Sequence, residues 1–400
     1  MLMFVFVLYP YVYLLARTAF LERAGGVLEA ARTLGIGPWR AFFTVSLPLA
    51  RPAIATGVAL ALMETLADYG TVAYFAVNTF TTGIYRAWFS LGDRIASAQL
   101  AAILLGFVLL LVAIERITRG RARYHNTSNR PRPSAGRLRG SAALLASLAC
   151  LAPLALGFLL PAGLLLRMAL GEGDAQFGER FAILARNSFT LAGLTALVAV
   201  MLAVVLAYSA RLSKTLLAQG LNRLVGLGYA VPGTVIAVGV LIPVTRLDNW
   251  LAGQWESAFG SNPGLLLTGG IAALIYAYLA RFLSVALQTV ETSLSKITPS
   301  MDDAARSPGL GQGRTLRRVH LPILRGSLFT AGLLVFVDVM KELPATLVMR
   351  PFNFDTLATQ AYVLASDERL TEASTAALAI VVVGLLPLIA LSRQISRTRK

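Results

Sequence analysis

The sequence is poor in the residues from which catalytic and metal centres are built. Of 400 residues only one is cysteine, Cys150, and two are histidine, His125 and His320. A single thiol excludes an internal disulfide, and in its apolar setting Cys150 reads as a small packing residue. Two separated histidines and no cysteine cluster assemble neither a zinc site nor a catalytic triad, so no metal, cofactor or catalytic residue is expected. The pattern Gly-x-x-x-x-Gly-Lys-Ser/Thr is also missing, which leaves the chain without a phosphate-binding loop. Gly309-Leu310-Gly311-Gln312-Gly313 imitates one only superficially, because it follows a helix and not a strand. Charge is scarce too: 14% of residues are charged against 56% hydrophobic, and the mean hydropathy is +0.68.

What fills the chain instead is apolar sequence in runs long enough to cross a bilayer, about 20 residues each. They lie near residues 1–20, 53–77, 97–115, 142–169, 188–210, 224–245, 264–283, 327–349 and 374–392. The fold class is therefore all-α, a polytopic membrane protein of about nine transmembrane helices. Acids number 20 against 36 Lys and Arg, a net charge of +16. In a soluble chain that excess would suggest nucleic acid. Here most basic residues fall in alternate loops, on one side of the membrane, as the positive-inside rule requires, and no nucleic-acid partner is needed. Arg116 to Arg139 holds eight arginines and no acid. With Pro131, Pro133 and Gly136 it reads as a flexible cytoplasmic linker beside anionic lipid.

Two stretches repeat at a displacement of 274. Glu29-Ala30-Ala31, Gly35 and Leu47-Pro48 recur as Asp303-Ala304-Ala305, Gly309 and Leu321-Pro322. The acid suits the positive end of a helix, and Ser300 is expected to cap that helix in the second copy. Paired alanines favour helix and leave its surface bare. Each glycine closes the helix in the left-handed conformation, and Leu-Pro starts the next one. Pro308, where the first copy has Leu34, disfavours helix before it and predicts an earlier end for the second copy. The spans 53–77 and 97–115 map by the same displacement onto the last two, and 1–20 answers to 264–283. Domains then read as a first half over 1–115, the linker over 116–140 and a second half over 141–400. The three spans between 142 and 245 have no counterpart in the first half, so a parent with two six-span halves, related as parallel repeats, and additional sequence before Met1 are expected.

The repeated loops resemble the cytoplasmic coupling loop, the EAA motif, of permease subunits in binding-protein-dependent ABC importers. The stretches Leu227 to Gly239, Tyr69 to Phe75, Thr79 to Trp88, Lys341 to Thr346 and Arg350 to Thr359 are similar to the fused permeases of ferric iron importers. The resemblance implies two ABC ATPase subunits docked on the two loops, a periplasmic substrate-binding protein, and a place in the bacterial inner membrane with linker and C-terminus in the cytoplasm. Related permeases carry thiamine, sulfate, molybdate or polyamines, and an ion-driven secondary transporter is the alternative class. Paired docking loops serve only the ATP-driven reading.

Four acids fall inside apolar spans: Glu64 and Asp68, and at the same displacement Asp338 and Glu342. Each costs about 2.5–3.5 kcal/mol at the centre of a bilayer, so each should face a cavity, a partner or the interface. A spacing of four puts each pair on one helical face and offers oxygen ligands to a hard cation along a translocation path. The bland alternative is a structural ion pair of Asp338 or Glu342 with Lys341. Tyr69 offers a phenol to the same path or serves as an interfacial anchor.

Overall fold

A computed structural model describes residues 1–119, 138–171, 178–213, 215–306 and 311–398, without the side chains of 21–30, 32, 119, 299, 305–306, 387–388 and 390–398. Residues 120–137 of the expected linker lie outside the described residues, as does Gly309, and so do the side chains of Glu29, Ala30 and Ala305. Among the described residues no strand occurs, and eight helices are long and apolar enough to cross a membrane, with a shorter apolar helix at Leu370–Leu386. This is a polytopic, multi-pass, all-α membrane protein.

The helices run in order as α1 (Leu2–Thr33), α2 (Pro38–Ala67), α3 (Gly70–Tyr74), α4 (Phe80–Phe89) and α5 (Arg94–Arg119). They continue with α6 (Gly140–Gly171), α7 (Glu179–Leu212), α8 (Leu216–Val225), α9 (Gly233–Phe259) and α10 (Ala272–Leu294). Last come α11 (Pro299–Arg306), α12 (Gln312–Met340), α13 (Pro344–Met349), α14 (Leu357–Ser366) and α15 (Leu370–Thr398). Two compact units result, one of residues 1–67 and 104–164, the other of 68–103 and 165–400.

The first unit packs on small residues. A Cβ on Gly57 would stand 2.7 Å from Val12 Cα, and one on Gly157 would stand 2.0 Å from the Phe6 carbonyl oxygen. Glycine is required at these crossings because lipid supplies no hydrophobic force between helices, and close backbone approach must replace it. The Thr56 hydroxyl donates to Glu115 Oε1 at 2.7 Å, which partners an acid at the end of an apolar run.

The second unit is built on α7, α10 and α12, whose contacts bury Leu191, Ala199, Ala203, Ala277, Tyr278, Ala331 and Val335. Two expected spans are cut short here. The run 224–245 opens as the separate α8 and a 3₁₀ turn at Gly228–Ala230, and the helix starts only at Gly233. The run 264–283 is helical only from Ala272, because buried Asp248 collects the segment before it. Its Oδ1 accepts the N–H of Leu266 and Leu267, and its Oδ2 accepts the N–H and hydroxyl of Thr268, all within 3.0 Å. A non-helical backbone at membrane depth survives only when its polar groups find such a partner.

The repeat keeps its displacement of 274 as far as the ends of α2 and α12 and then drifts. Thr79 and Thr82 form a capping box on α4, and Thr356 and Thr359 form the same box on α14, a displacement of 277. The expected correspondence of the last spans is thus off by three residues.

Candidate functional site

In the first loop the helix is not a separate piece. It is the end of α1, which runs unbroken from the membrane to Thr33. Gly35 closes it at φ +75°, and the Ile36 N–H donates to the Ala31 carbonyl at 3.0 Å. That six-to-one bond with a left-handed glycine is the Schellman closure that the sequence predicts. Ala31 is buried.

In the second loop the helix is a piece of its own, α11, cut from α10 between Leu294 and Pro299. Because it begins at Pro299, Ser300 lies inside its first turn and is not the cap; the Ser300 and Thr298 hydroxyls stand 2.8 Å apart. Asp303 and Ala304 are exposed, as a docking face needs. The described part of this helix runs to Arg306, and Pro308, on which the expected earlier end rests, lies outside the described residues.

Leu-Pro does not start the next helix in either copy. The ascending helices begin earlier, at Pro38 after Gly37 and at Gln312 after Gly311. What precedes Leu47-Pro48 and Leu321-Pro322 is a π-turn, Phe42–Ser46 and Leu316–His320, and Leu160-Pro161 follows a third, Ala155–Leu159. The cause is the proline. It has no N–H and its ring presses on the carbonyl four residues back, so the ladder widens by one residue ahead of it. A helix with such a turn remains continuous yet changes the face it presents beyond it.

Asp302, a residue singled out by nothing in the sequence, ties α11 down. Its Oδ2 accepts Arg211 Nε at 3.0 Å and Nη2 at 2.8 Å, and its Oδ1 lies 2.7 Å from His320 Nε2. Arg211 also donates to the carbonyls of Leu294 and Ile297, each at 2.9 Å. Burial alone would raise the Asp302 carboxyl, but the Arg211 guanidinium and the His320 ring outweigh it and hold the group below the usual carboxylate range.

Of the four acids, Glu64 and Asp338 lie inside helices, while Asp68 and Glu342 stand at two helix breaks. α2 ends at Ala67 and α12 at Met340, so Asp68 and Glu342 stand beyond the helices that carry Glu64 and Asp338. Asp68 Oδ1 accepts the Val72 N–H at 3.1 Å, and the Asp68 carbonyl accepts the hydroxyl of buried Thr81 at 2.7 Å. Glu342 is buried and does more. Its carboxylate accepts the N–H of Ala345 and of Thr346 at 3.1 Å each, the Thr346 hydroxyl at 2.9 Å and Arg281 Nη1 at 3.3 Å. A Cβ on Gly233 would lie 2.4 Å from Glu342 Oε1, so that glycine leaves the room the ion pair occupies. The buried Tyr278 hydroxyl closes the network on Thr346. Each break frees backbone N–H groups in an apolar setting, and each carboxylate collects them. Lys341 pairs with Asp338 at 2.9 Å, while Glu342 takes Arg281.

Tyr69, next to the first break, is buried against Tyr85 and Tyr362, with ring centroids 4.8 and 5.5 Å away. The Tyr362 hydroxyl donates to the Tyr69 hydroxyl at 3.2 Å. Glu179, Arg180, Asn187, Asn353 and Asp355, together with the apolar Ile183 and Leu184, line a cavity at the end of α7 remote from Arg211. There Arg180 reaches Gln360 Oε1 at 3.1 Å, and Asn187 donates to the Asp355 carbonyl at 3.0 Å.

Long apolar helices, two copies of one loop and breaks stitched by carboxylates define a membrane permease. Residues 1–124 match the family described as the inner membrane component of binding-protein-dependent transport systems. The Fe(3+)-transport system permease protein FbpB 2 of Haemophilus influenzae is 28% identical over 393 residues, 96% of this chain and 74% of that protein. The ferric transport system permease protein FbpB of Actinobacillus pleuropneumoniae is 23% identical over 84% of this chain, which spans 49% of its length. The molybdenum transport system permease ModB of Escherichia coli is 36% identical over 104 residues, 24% of this chain and 45% of that protein. Over residues 1–124 the chain matches this inner-membrane transport component, and the proteins it is similar to over longer stretches are permease subunits of transport systems.

Proposed function

We propose that this permease carries ferric iron into the cell and takes its energy from two ABC ATPase subunits, one docked on each repeated loop. The observation that carries the substrate is the similarity to a ferric permease over 96% of the chain, where the molybdenum permease matches over 24%. The exposed Asp303 and Ala304 on α11, and the closure of α1 at Gly35, support the docking role of both loops. Glu29, Ala30, Ala31, Ala305, Gly309, Leu47, Pro48, Leu321 and Pro322 belong to the same docking device by their place in the repeat.

Arg211 lies beside the loop, and α7 is 34 residues long, roughly 51 Å at 1.5 Å per residue. The cavity at its far end is then the outward surface, and a periplasmic binding protein meets the permease there. Glu64, Asp68, Asp338 and Glu342 act on the path through the breaks: the carboxylates set where the apolar helices open, and the negative charge they bring favours a cation.

The test is uptake into proteoliposomes that hold the permease and its ATPase, with the binding protein and ATP supplied on opposite faces. Radiolabelled ferric iron should accumulate, and a hundredfold excess of molybdate should not compete. Accumulation of molybdate but not iron would overturn the substrate. Uptake driven by a proton or sodium gradient without ATP would overturn the class.

A further inference from the structure

We propose that Asp302 is a positioning residue that couples the second docking helix to the membrane helices, and that it does so on one loop only. The proposal rests on the reading of α11 as a docking helix. Its evidence is a single carboxylate that joins the two sides of the loop. One oxygen is held by Arg211, at the end of α7, whose remaining donors go to the descending side through Leu294 and Ile297. The other oxygen is held by His320, in the π-turn of the ascending side.

His320 is buried, and its second ring nitrogen, Nδ1, has no partner among the described residues. Its ring meets buried Tyr208 edge-on at 5.3 Å, and the Tyr208 hydroxyl donates to the Gln312 carbonyl at 2.9 Å. Tyr208 and Arg211 share one face of α7, three residues apart. That face therefore grips α11, the start of α12 and the π-turn together. A push on α11 cannot be absorbed locally: it moves α7 and α12 or breaks several charge-assisted bonds.

The corresponding positions of the first loop are Leu28 and Ser46, which carry no charge.

The experiment uses the permease with its ATPase and binding protein in proteoliposomes, as wild type and as Asp302→Asn, Asp302→Glu and Ala304→Trp. Three readouts are taken: ATPase co-purification, the ratio of hydrolysis with and without loaded binding protein, and uptake. Asp302→Asn should retain co-purification but lower the stimulation ratio and uptake by about tenfold, in keeping with the loss of charge-assisted bonds. Asp302→Glu, which keeps the charge, should recover at least half of both. Stimulation and uptake within twofold of wild type in Asp302→Asn would overturn the proposal. So would loss of co-purification in Asp302→Asn and Asp302→Glu alike, because the carboxylate would then only fold the loop. Ala304→Trp tests the reading underneath: normal co-purification and uptake with that bulk on α11 would remove docking, whatever Asp302 does.

Discussion

The first coupling loop leaves its membrane helix without interruption, since α1 continues to Thr33, whereas the second is cut free at Leu294 and tied back through Asp302. A continuous helix is stiff along its axis. A separate short helix, eight residues long in its described part, depends on tertiary contacts. The same local code, acid-Ala-Ala followed by glycine and Leu-Pro, is thus mounted once by covalent continuity and once by an ion pair. Function at a repeated motif is therefore not symmetric merely because the motif is.

The largest test of that difference is Arg211→Ala. It strands a part-buried carboxylate and two carbonyls, and should cost about 3 kcal/mol of stability. Ser46→Ala, at the position that answers to His320, should cost under about 0.5 kcal/mol. Thermal unfolding of the detergent-solubilised protein measures both, and equal losses would abolish the contrast.

The two helix breaks can be compared in the same way. Glu342→Gln removes the charge that Arg281 and two backbone N–H groups share at a buried site, and about 2–3 kcal/mol should be lost. Asp68→Asn keeps an oxygen for the Val72 N–H and should cost about 1 kcal/mol. If ferric uptake falls in both variants while folded protein persists, the acids act on the path as well as on the break. Normal uptake in the double variant would confine them to structure.

A smaller effect is expected at the helix end of the first loop. Gly35→Ala puts a side chain at φ +75° and should cost about 1 kcal/mol, although nothing lies within 4 Å of the new Cβ. Gly37→Ala, two residues on at φ −61° and equally open, should be near neutral. The pair separates backbone strain from lost space.

The smallest effect is the acid side of the clamp. Asp302 is held below its ordinary value, so its contribution is complete above about pH 4 and disappears as pH falls through the lower folded value. The stability difference between wild type and Asp302→Asn should be constant from pH 5 to 8 and shrink below about pH 4. A difference that grew on acidification would reverse the sign and exclude the clamp as drawn.

Much of this protein was legible in its sequence because the bilayer imposes rules that act locally. Runs of apolar residues declare spans, a left-handed glycine after Ala31 declares a helix end, and a displacement of 274 declares a repeat. The family resemblance rested on the same stretches, and the comparisons agree with it. Lys341 and Asp338, three residues apart, pair as their spacing allows.

Only the tertiary structure decided where the spans open and what the acids do there. Pro344, two residues beyond Glu342, disfavours helix just before it, but no local pattern shows that Asp68 and Glu342 collect the N–H groups freed at the breaks. Glu342 also takes Arg281, brought from 61 residues away. Asp248, which gathers the backbone of Leu266 to Thr268, and Asp302, whose partner Arg211 lies 91 residues away, were invisible for the same reason. Hydropathy is a property of a segment and can be read from it. The partner of a buried charge is a property of the packed chain, because desolvation makes the charge costly anywhere else.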